Sequence, residues 1–335
     1  MIVSVIIPVY NVSMYIGRCL DSVIHQRITD FECIIIDDCS DDDSMEQVTH
    51  RLSTYEGSVR FRIIPHTQNR GLSAARNTGI QASAGDYVFF LDGDDEMTDD
   101  CLEVLTGIAE SYPDVDIVQG SSIVYRPRRS DNIYQLNNKL PAFSADKTWL
   151  AKSMLERQII PVTSWNKLIN RDFLLKNGLF FREGIIHEDE HWTFFAARHI
   201  RSMAFCTKVT YKHYIREDSI MTSSADRSIF CWFSIIDDFI NNLDNKLLQT
   251  QSKVILEVSF CNLIRIVKQA SPSNKADMLE TQRLLLEPCL VDARKRKAKA
   301  ACFLLSWFSL PLSALKILCV KDIRGIYFKT LKYLV

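Results

Sequence analysis

The chain of 335 residues carries 40 basic and 41 acidic side chains, so its formal net charge is −1. A hydrophobic content of 47% and a charged content of 24% are ordinary for a globular protein, so we expect a well-filled core. The ten cysteines form no C-x-x-C pair, which excludes a disulfide framework or a cysteine metal site that spacing alone could identify. Such scattered cysteines are typical of small core residues in a reducing cytosol.

Alternating strand and helix patterns fill the first 125 residues. Five apolar runs rich in β-branched and aromatic residues predict strands over 3–10, 31–36, 59–64, 86–91 and 115–125. The second and fourth runs are almost continuously apolar, which is typical of strands buried on both faces of a parallel sheet. Helical periodicity is present over 15–24, and an Ala-rich helix is predicted over 72–82. The order predicts an α/β fold with a doubly wound, mostly parallel sheet, whose ligands bind at the carboxyl ends of the strands.

The pattern turns helical from residue 226 onward. We therefore predict an α/β domain over 1–222, a helical extension over 223–290 and a basic tail over 291–335. The extension is also a candidate element for a homodimer. The first residues show neither a basic n-region nor a cleavage site, which predicts a cytoplasmic protein.

The charge is distributed unevenly along the chain. Residues 290–335 contain ten basic and two acidic side chains, so this part carries +8 and the rest of the chain −9. Basic residues flank an uncharged stretch, 300–315, which Pro311 interrupts. As a helix this stretch would be about 24 Å long, shorter than the ~30 Å hydrocarbon core of a bilayer. The tail is therefore predicted to lie in the surface of an anionic membrane, with a packed core helix and a true span as alternatives.

Two carboxylates follow the fourth predicted strand. Asp92 and Asp94 are two positions apart, so on an extended backbone their side chains point the same way, and Gly93 between them leaves room for a close approach. A pair of this kind suits Mg²⁺ or Mn²⁺, which takes one or two protein carboxylates and completes its shell with water and phosphate oxygens. The alternative is a turn in which these residues only cap the next helix.

The second predicted strand also ends in two carboxylates, Asp37 and Asp38. The three further aspartates at 41–43 are expected to cap the following helix or to solvate the turn.

In the stretch 68–80, Arg76 interrupts a helix otherwise suited to packing. An arginine suits a phosphate or a nucleobase edge, with a surface arginine as the alternative.

Residues 187–191 read His-Glu-Asp-Glu-His and allow two interpretations. The spacing H-E-x-x-H is typical of a helix with two zinc-ligating histidines, His187 and His191, and a glutamate base. A zinc hydrolase needs a third ligand, and no H-x-x-G-x-x-H continuation follows His191. That interpretation also leaves the aspartates at the strand ends without a role, so we favour one in which a single carboxylate of this motif acts as a base.

Six segments of the chain occur in a familiar order. They are VSVIIPVYN, IIIDDCSDD, NRGLSAARNTGI, LDGDDEM, WNKLINRDFL and HEDEHWTFF. In order and spacing they resemble the inverting nucleotide-sugar glycosyltransferases of family 2, over roughly residues 1–222. Each motif is moderately specific alone, and six in order make the resemblance strong. It implies the GT-A fold and an enzyme that builds polysaccharides or glycolipids in bacteria.

The resemblance implies roles for individual positions. Asp189 corresponds to the general base, with Glu188 as its neighbour, and Asp38 is favoured over Asp37 for the uracil edge. Asp94 corresponds to the metal ligand of the D-x-D pair, with Asp92 beside it and His213 close enough to approach the metal. The positions that correspond to contacts with the nucleotide or its diphosphate are Pro8, Tyr10, Asp37, Asp38, Asn69, Arg76, Asp92, Gly93, Arg216 and Ser219.

The resemblance also implies a reaction. A sugar would pass with inversion from a nucleotide-sugar, with a UDP-sugar favoured, to a hydroxyl of a saccharide or polyprenyl-linked acceptor, with Mn²⁺ or Mg²⁺ as cofactor. No nucleic-acid partner is expected. The tail would hold the enzyme peripherally at the inner face of the cell membrane. The alternatives are a sugar-nucleotide-binding α/β protein without catalysis and the zinc hydrolase.

Overall fold

The structure is a computed structural model that describes residues 2–126, 132–134, 136, 140–156, 160–215, 225–295, 305, 308 and 310. The chain forms two compact units, Met1–Glu217 and Asp218–Val335.

The first unit is an α/β domain. Its strands are β1 (Val3–Val9), β2 (Phe31–Asp37), β3 (Arg60–Pro65), β4 (Tyr87–Phe90), β5 (Glu96–Met97), β6 (Ile117–Tyr125), β7 (Asn132–Tyr134), β8 (Phe143–Ser144), β9 (Lys167–Asn170) and β10 (Met203–Tyr214). Its helices are α1 (Ser13–Ile24), α2 (Ser44–Ser53), α3 (Leu72–Ala82), α4 (Cys101–Ser111), α5 (Lys147–Leu155), α6 (Arg171–Lys176) and α7 (Glu188–Ala196).

The strands form one mixed sheet in the order β3-β2-β1-β4-β9-β6-β10-β5, with β7 on β6 and β8 on β10. The strand β1 pairs in parallel with β2 and with β4, β2 with β3, and β6 with β10. The predicted α/β fold with a mostly parallel sheet is confirmed. Its two halves are joined by the short β9, which runs antiparallel to both β4 and β6.

Helices cover both faces of the sheet. The odd-numbered residues of β1, such as Val5 and Ile7, are buried in one core with α1, α2 and α4. The even-numbered Ile6 meets α3 on the opposite face, where a Cβ on Gly79 would lie 2.3 Å from its side chain. The Ala-rich sequence of α3 therefore lets this helix approach the sheet closely.

The chain turns sharply where the sheet ends. Asn11 follows β1 with φ 51°, Cys39 follows β2 with φ 63°, Asn166 precedes β9 with φ 57°, and His187 precedes α7 with φ 71°. Non-glycine residues rarely adopt this left-handed conformation, and where they do they often mark functional sites. Asn11, Cys39 and His187 each stand beside a residue singled out as a site candidate, namely Tyr10, Asp38 and Glu188.

The second unit is helical in its described part. It contains α8 (Ala225–Asn241), α9 (Leu248–Gln269) and α10 (Lys275–Lys295). These helices share a core that includes Ile229, Phe233 and Ile266. Of the helices that the structure describes, none is both long and apolar enough to cross a membrane. Most of the predicted tail over 291–335 lies outside the described residues.

Candidate active site

A single buried arginine lies at the centre of the site. Arg76 of α3 is 1% exposed, and its guanidinium donates to three carboxylates. Its Nη2 lies 2.9 Å from Asp92 Oδ1 at the end of β4. Its Nη1 lies 2.7 Å from Glu188 Oε1 and 3.3 Å from Asp189 Oδ1 at the start of α7. The side chain predicted to contact a nucleotide thus joins the end of the sheet to the predicted base.

The two carboxyl groups at the start of α7 are poor acids. Burial raises the pKa of Glu188 to about 7, and the neighbouring Asp189 adds to this rise while Arg76 opposes it. Burial likewise raises the pKa of Asp189, against the lowering effect of Arg76 and of Ser164. A carboxylate whose pKa is raised toward neutrality is a stronger base than an ordinary one.

The geometry of α7 does not suit a zinc-binding helix. His187 has a left-handed backbone and precedes the helix, so it does not share a helical face with His191. The ring of His191 is buried and packs against Phe195 at 4.7 Å between centroids. Glu188, which would be the base of a zinc hydrolase, is bound to Arg76.

The loop after β4 approaches β1 closely. A Cβ on Gly93 would lie 3.1 Å from the carbonyl oxygen of Pro8, a tight contact that glycine avoids. The backbone carbonyl of Asp94 accepts a hydrogen bond of 2.5 Å from Arg18, and both Asp92 and Asp94 are partly exposed. The predicted pair therefore lies at the carboxyl end of β4, beside the end of β1.

The aspartate after this pair is used structurally. Asp95 is fully buried and accepts hydrogen bonds from Tyr211 (2.9 Å), His213 Nδ1 (2.9 Å) and the Tyr214 N–H (2.8 Å). Burial alone would lower the pKa of His213, but the hydrogen bond and charge of Asp95 raise it. With Nδ1 held by Asp95, Nε2 is the nitrogen left for another partner.

These residues fit an open metal site. Within the described ranges, no three or more histidine, cysteine, aspartate or glutamate side chains come together as a complete metal cage. Mg²⁺ and Mn²⁺ need only one or two carboxylates where phosphate oxygens and water supply the rest. The partly exposed Asp94 is a ligand of the right type, and Asp95 holds His213 in the orientation that metal-binding histidines usually have.

The two aspartates that end β2 have different surroundings. Asp38 is 2% exposed and accepts from the Arg70 N–H (2.9 Å), the Gly71 N–H (2.7 Å) and His66 Nδ1 (2.6 Å). Asp37 is partly exposed, and its carboxylate accepts only the Ser40 N–H, at 2.9 Å, among the hydrogen bonds described. Asp38 thus fixes the loop before α3, and Asp37 has the more accessible carboxylate.

Of the aspartates at 41–43, Asp42 binds the starts of two helices. Asp42 accepts from the Ser13 N–H at 3.0 Å and the Ser44 N–H at 2.9 Å, which are the first residues of α1 and α2. Burial opposes ionisation of Asp42, but these hydrogen bonds hold its pKa at about 2.

The other predicted positions divide by exposure. Pro8 is buried in β1, whereas Tyr10 is 44% exposed and Asn69 is exposed. Arg216 and Ser219 lie outside the described residues.

Asn77, next to Arg76, binds the backbone of Phe181. Its amide nitrogen donates to the Phe181 carbonyl and its amide oxygen accepts from the Phe181 N–H, at 2.8 Å each. It thereby holds the segment that leads into α7.

Sequence reasoning missed several residues of the site. His66 bridges Asp38 and Thr78. Asp95, which also binds Tyr211, holds His213. Ser164 and Lys167 lie near Asp189. Lys167 and Asp95 carried a signal, since they stand in the segments WNKLINRDFL and LDGDDEM that contributed to the resemblance.

Comparisons with known proteins agree on the family. The family model "Glycosyl transferase family 2" matches residues 4–176. The match ends before Glu188 and Asp189, so it covers the strand ends and not the predicted base. The chain is 31% identical over 224 residues to the uncharacterized glycosyltransferase YibD of Escherichia coli, which covers 65% of this chain and 62% of YibD. The chain thus spans less than two thirds of that relative.

Two solved structures show the same fold. The structure of S. aureus TarS 1-349 in complex with UDP-GlcNAc has a TM-score of 0.66 at 18% identity, and covers 86% of this chain and 81% of that one. The mannosyltransferase PcManGT from Pyrobaculum calidifontis, in complex with GDP-Man and Mn²⁺, has a TM-score of 0.56 at 17% identity, and covers 99% of this chain and 84% of that one.

Proposed function

The chain belongs to glycosyl transferase family 2, and on this premise we propose that it transfers a sugar from a UDP-sugar to an acceptor hydroxyl with inversion of configuration. The observation that carries the proposal is the position of Arg76. One guanidinium binds Asp92 at the end of the sheet, where a nucleotide-sugar is expected, and Glu188 and Asp189, which provide the base. Donor and base are thereby brought to one site.

The nucleotide is proposed to lie across the carboxyl ends of β1 and β2. Tyr10 offers an exposed aromatic ring for stacking, and Asp37 offers an accessible carboxylate for the N3–H of uracil. For the contact to uracil we now prefer Asp37 to Asp38, because the carboxylate of Asp38 already accepts three hydrogen bonds. The complex of TarS with UDP-GlcNAc supports a uridine nucleotide, because that protein shares the fold.

Asp189 is proposed to act as the general base. The acceptor oxygen forms a bond to the anomeric carbon while the bond to the diphosphate breaks, and the hydroxyl proton passes to the Asp189 carboxylate. Attack from the face opposite to the leaving group inverts the anomeric centre. Arg76 keeps Asp189 ionised and oriented, and Glu188 shares the same guanidinium.

Asp94 is the residue proposed to hold a divalent ion, with Asp92 and His213 beside it. When bound, Mn²⁺ or Mg²⁺ would act as a Lewis acid that offsets the charge on the departing diphosphate. The mannosyltransferase complex with Mn²⁺ supports such an ion in this fold. We expect UDP binding to depend on the metal. Asp94→Asn should lose this metal dependence, and the exposed Asp172→Asn should keep it.

The acceptor is proposed to be a saccharide or a polyprenyl-linked saccharide. We further propose that residues 291–335 hold the protein peripherally at the cytoplasmic face of the membrane, because this part of the chain is strongly basic.

The proposal is tested with a panel of UDP-sugars, each assayed for transfer and for release of UDP with Mn²⁺ or Mg²⁺. Asp189→Asn is expected to lower kcat by roughly 10²–10⁴-fold, the range typical of a lost general base, with UDP affinity unchanged. Asp172→Asn, on the exposed face of α6, is the matched control and should keep full activity. Full transfer by Asp189→Asn would overturn the proposal. Donor binding with no transfer by the wild-type protein to any acceptor would favour a binding protein without catalysis.

A further inference from the structure

A buried lysine holds the loop in front of the proposed base. Lys167 is the first residue of β9 and is 1% exposed. Its Nζ donates to the carbonyl oxygen of Pro161 at 2.9 Å and to that of Thr163. A buried ammonium group is costly unless it is well paired. Lys167 is instead solvated by two backbone carbonyls, so the loop over 161–164 is held close around it.

The same loop is bound to the helix that carries the base. Ser164 lies near Asp189 and lowers the pKa of its carboxyl group. The hydroxyl of Thr193, one helical turn after Asp189, donates to the Val162 carbonyl at 3.1 Å. Three successive carbonyls, from 161 to 163, are therefore bound by Lys167 and by α7.

The residues between Ser164 and Lys167 reach the opposite side of the site. The Trp165 ring stacks on Tyr211 and on His213, at 4.7 and 5.1 Å between centroids. Asn166 is fully buried and joins β6 to β10, since it donates to the Ser121 carbonyl at 2.8 Å and accepts from Thr210 at 2.7 Å. This segment therefore reaches the histidine beside the proposed metal site through Trp165, and the loop before it reaches the helix of the base through Thr193.

The surroundings of Lys167 point toward Asp189. Burial lowers the pKa of Lys167 to about 7, and the negative charge of Asp189 opposes this lowering. The lysine is thus near enough to act on the base electrostatically, although its hydrogen bonds go to the backbone.

We propose that Lys167 is a positioning residue for Asp189, acting through the loop 161–164, which Thr193 binds to the helix that carries the carboxylate. This inference rests on the proposed function, since it concerns the orientation of the general base. Lys167 would not contact the donor, whose proposed contacts lie at the ends of β1, β2 and β4. Its loss should therefore affect the chemical step and leave the affinity for UDP unchanged.

The first test replaces Lys167 with methionine, which keeps most of the side-chain length but removes the donors. Displacement of a catalytic group by about 1 Å can cost about 100-fold in rate, so we expect Lys167→Met to lower kcat by about 10- to 100-fold with UDP affinity within about twofold. The acidic limb of the pH–kcat profile should also move to higher pH, because a cation near Asp189 has been removed. Lys176→Met, an exposed lysine of α6, is the matched control.

The second test reaches the loop from the other side. Thr193→Val removes the hydrogen bond to Val162 with little change in volume, so it remains informative if Lys167→Met does not fold. It should lower kcat without changing UDP affinity, and the double variant should lose less than the product of the two single effects, because both act on one loop.

Two outcomes would overturn the inference. One is wild-type kcat and an unshifted pH profile in both variants while Asp189→Asn is inactive, which would leave the proposed function intact. The other is loss of UDP binding and of kcat together in folded protein, which would place Lys167 on the donor side. Full activity of Asp189→Asn would instead remove the proposed function itself.

Discussion

Arg76 Nη1 lies 2.7 Å from Glu188 Oε1, although 112 positions separate the two residues in the chain. The same guanidinium reaches Asp92 and Asp189, so one cation compensates three carboxylates in a buried place. Burial alone would lower the pKa of Arg76, but the three carboxylates raise it, and the guanidinium stays charged. The end of β4 and the start of α7 are therefore held in register by this ion cluster.

Loss of Arg76 is predicted to destabilise the protein strongly. Arg76→Met would leave three partly buried carboxylates without their cation, and removal of one partner from a buried ion pair typically costs about 3–5 kcal/mol. Urea unfolding followed by circular dichroism measures this change. Arg283→Met is the control, because Arg283 pairs with Glu280 on the surface of α10, and its unfolding midpoint should stay near that of the wild type. Equal effects of the two substitutions would contradict the structure.

Stability should depend on the titration of Glu188. Its pKa is raised by burial from 4.5 to about 7, so Glu188 favours folding below pH 4.5, and this contribution is lost as the pH rises through 7. The wild type should therefore lose unfolding free energy relative to Glu188→Gln between pH 4.5 and 7, by on the order of 1–3 kcal/mol. Urea titrations at several pH values measure the difference. A difference that is constant with pH would show that Glu188 is not perturbed.

The adjacent aspartates at the end of β2 should respond differently to alanine. Asp38→Ala leaves the N–H groups of Arg70 and Gly71 without their acceptor, so it should cost on the order of 2 kcal/mol or more of unfolding free energy. Asp37→Ala should change stability little but weaken UDP binding by about 10-fold, the worth of one hydrogen bond to a charged group.

The preference for uracil over cytosine distinguishes the roles of Asp37 and Asp38. Cytosine lacks the N3–H that the Asp37 carboxylate would accept, so wild-type protein should bind UDP more tightly than CDP. Asp37→Ala should reduce this preference, as measured by calorimetry with the two nucleotides. If the preference is lost in folded Asp38→Ala and kept in Asp37→Ala, the assignment of Asp37 is wrong.

Membrane association should require the basic tail. A chain ending at residue 290 is expected to stay in solution when anionic vesicles are sedimented, and to bind UDP as the full chain does. Replacement of the basic residues of 294–299 by glutamine should weaken vesicle binding without shortening α10, and uncharged vesicles serve as the control. Sedimentation of the shortened chain with anionic vesicles would contradict the prediction.

Local patterns were sufficient to predict much of the fold. The predicted strands over 3–10 and 31–36 correspond to β1 and β2, and the helix predicted over 72–82 has the bounds of α3. These elements are long or strongly periodic, so their sequences alone indicate their type. Carboxylates placed after the strands could likewise be expected at one edge of the sheet, because parallel strands end on the same side.

The partners of Arg76 and the strand β9 could not be predicted. A four-residue strand such as KLIN has no distinctive period, and its place between β4 and β6 depends on pairing with distant parts of the chain. For Arg76, the residue type suggested an anionic ligand or a surface position. Its 1% exposure was indicated only indirectly, by the small residues Ala74 and Ala75 beside it.

The antiparallel β9 has a consequence for synthesis of the chain. When residues 1–126 have emerged from the ribosome, β4 and β6 are complete, but β9, which pairs with both, has not yet been made. Each then presents an apolar edge that can pair with another nascent chain. Such edges favour aggregation, so fragments that stop before Lys167 should be insoluble, and the nascent domain would need protection until Asn170 has emerged.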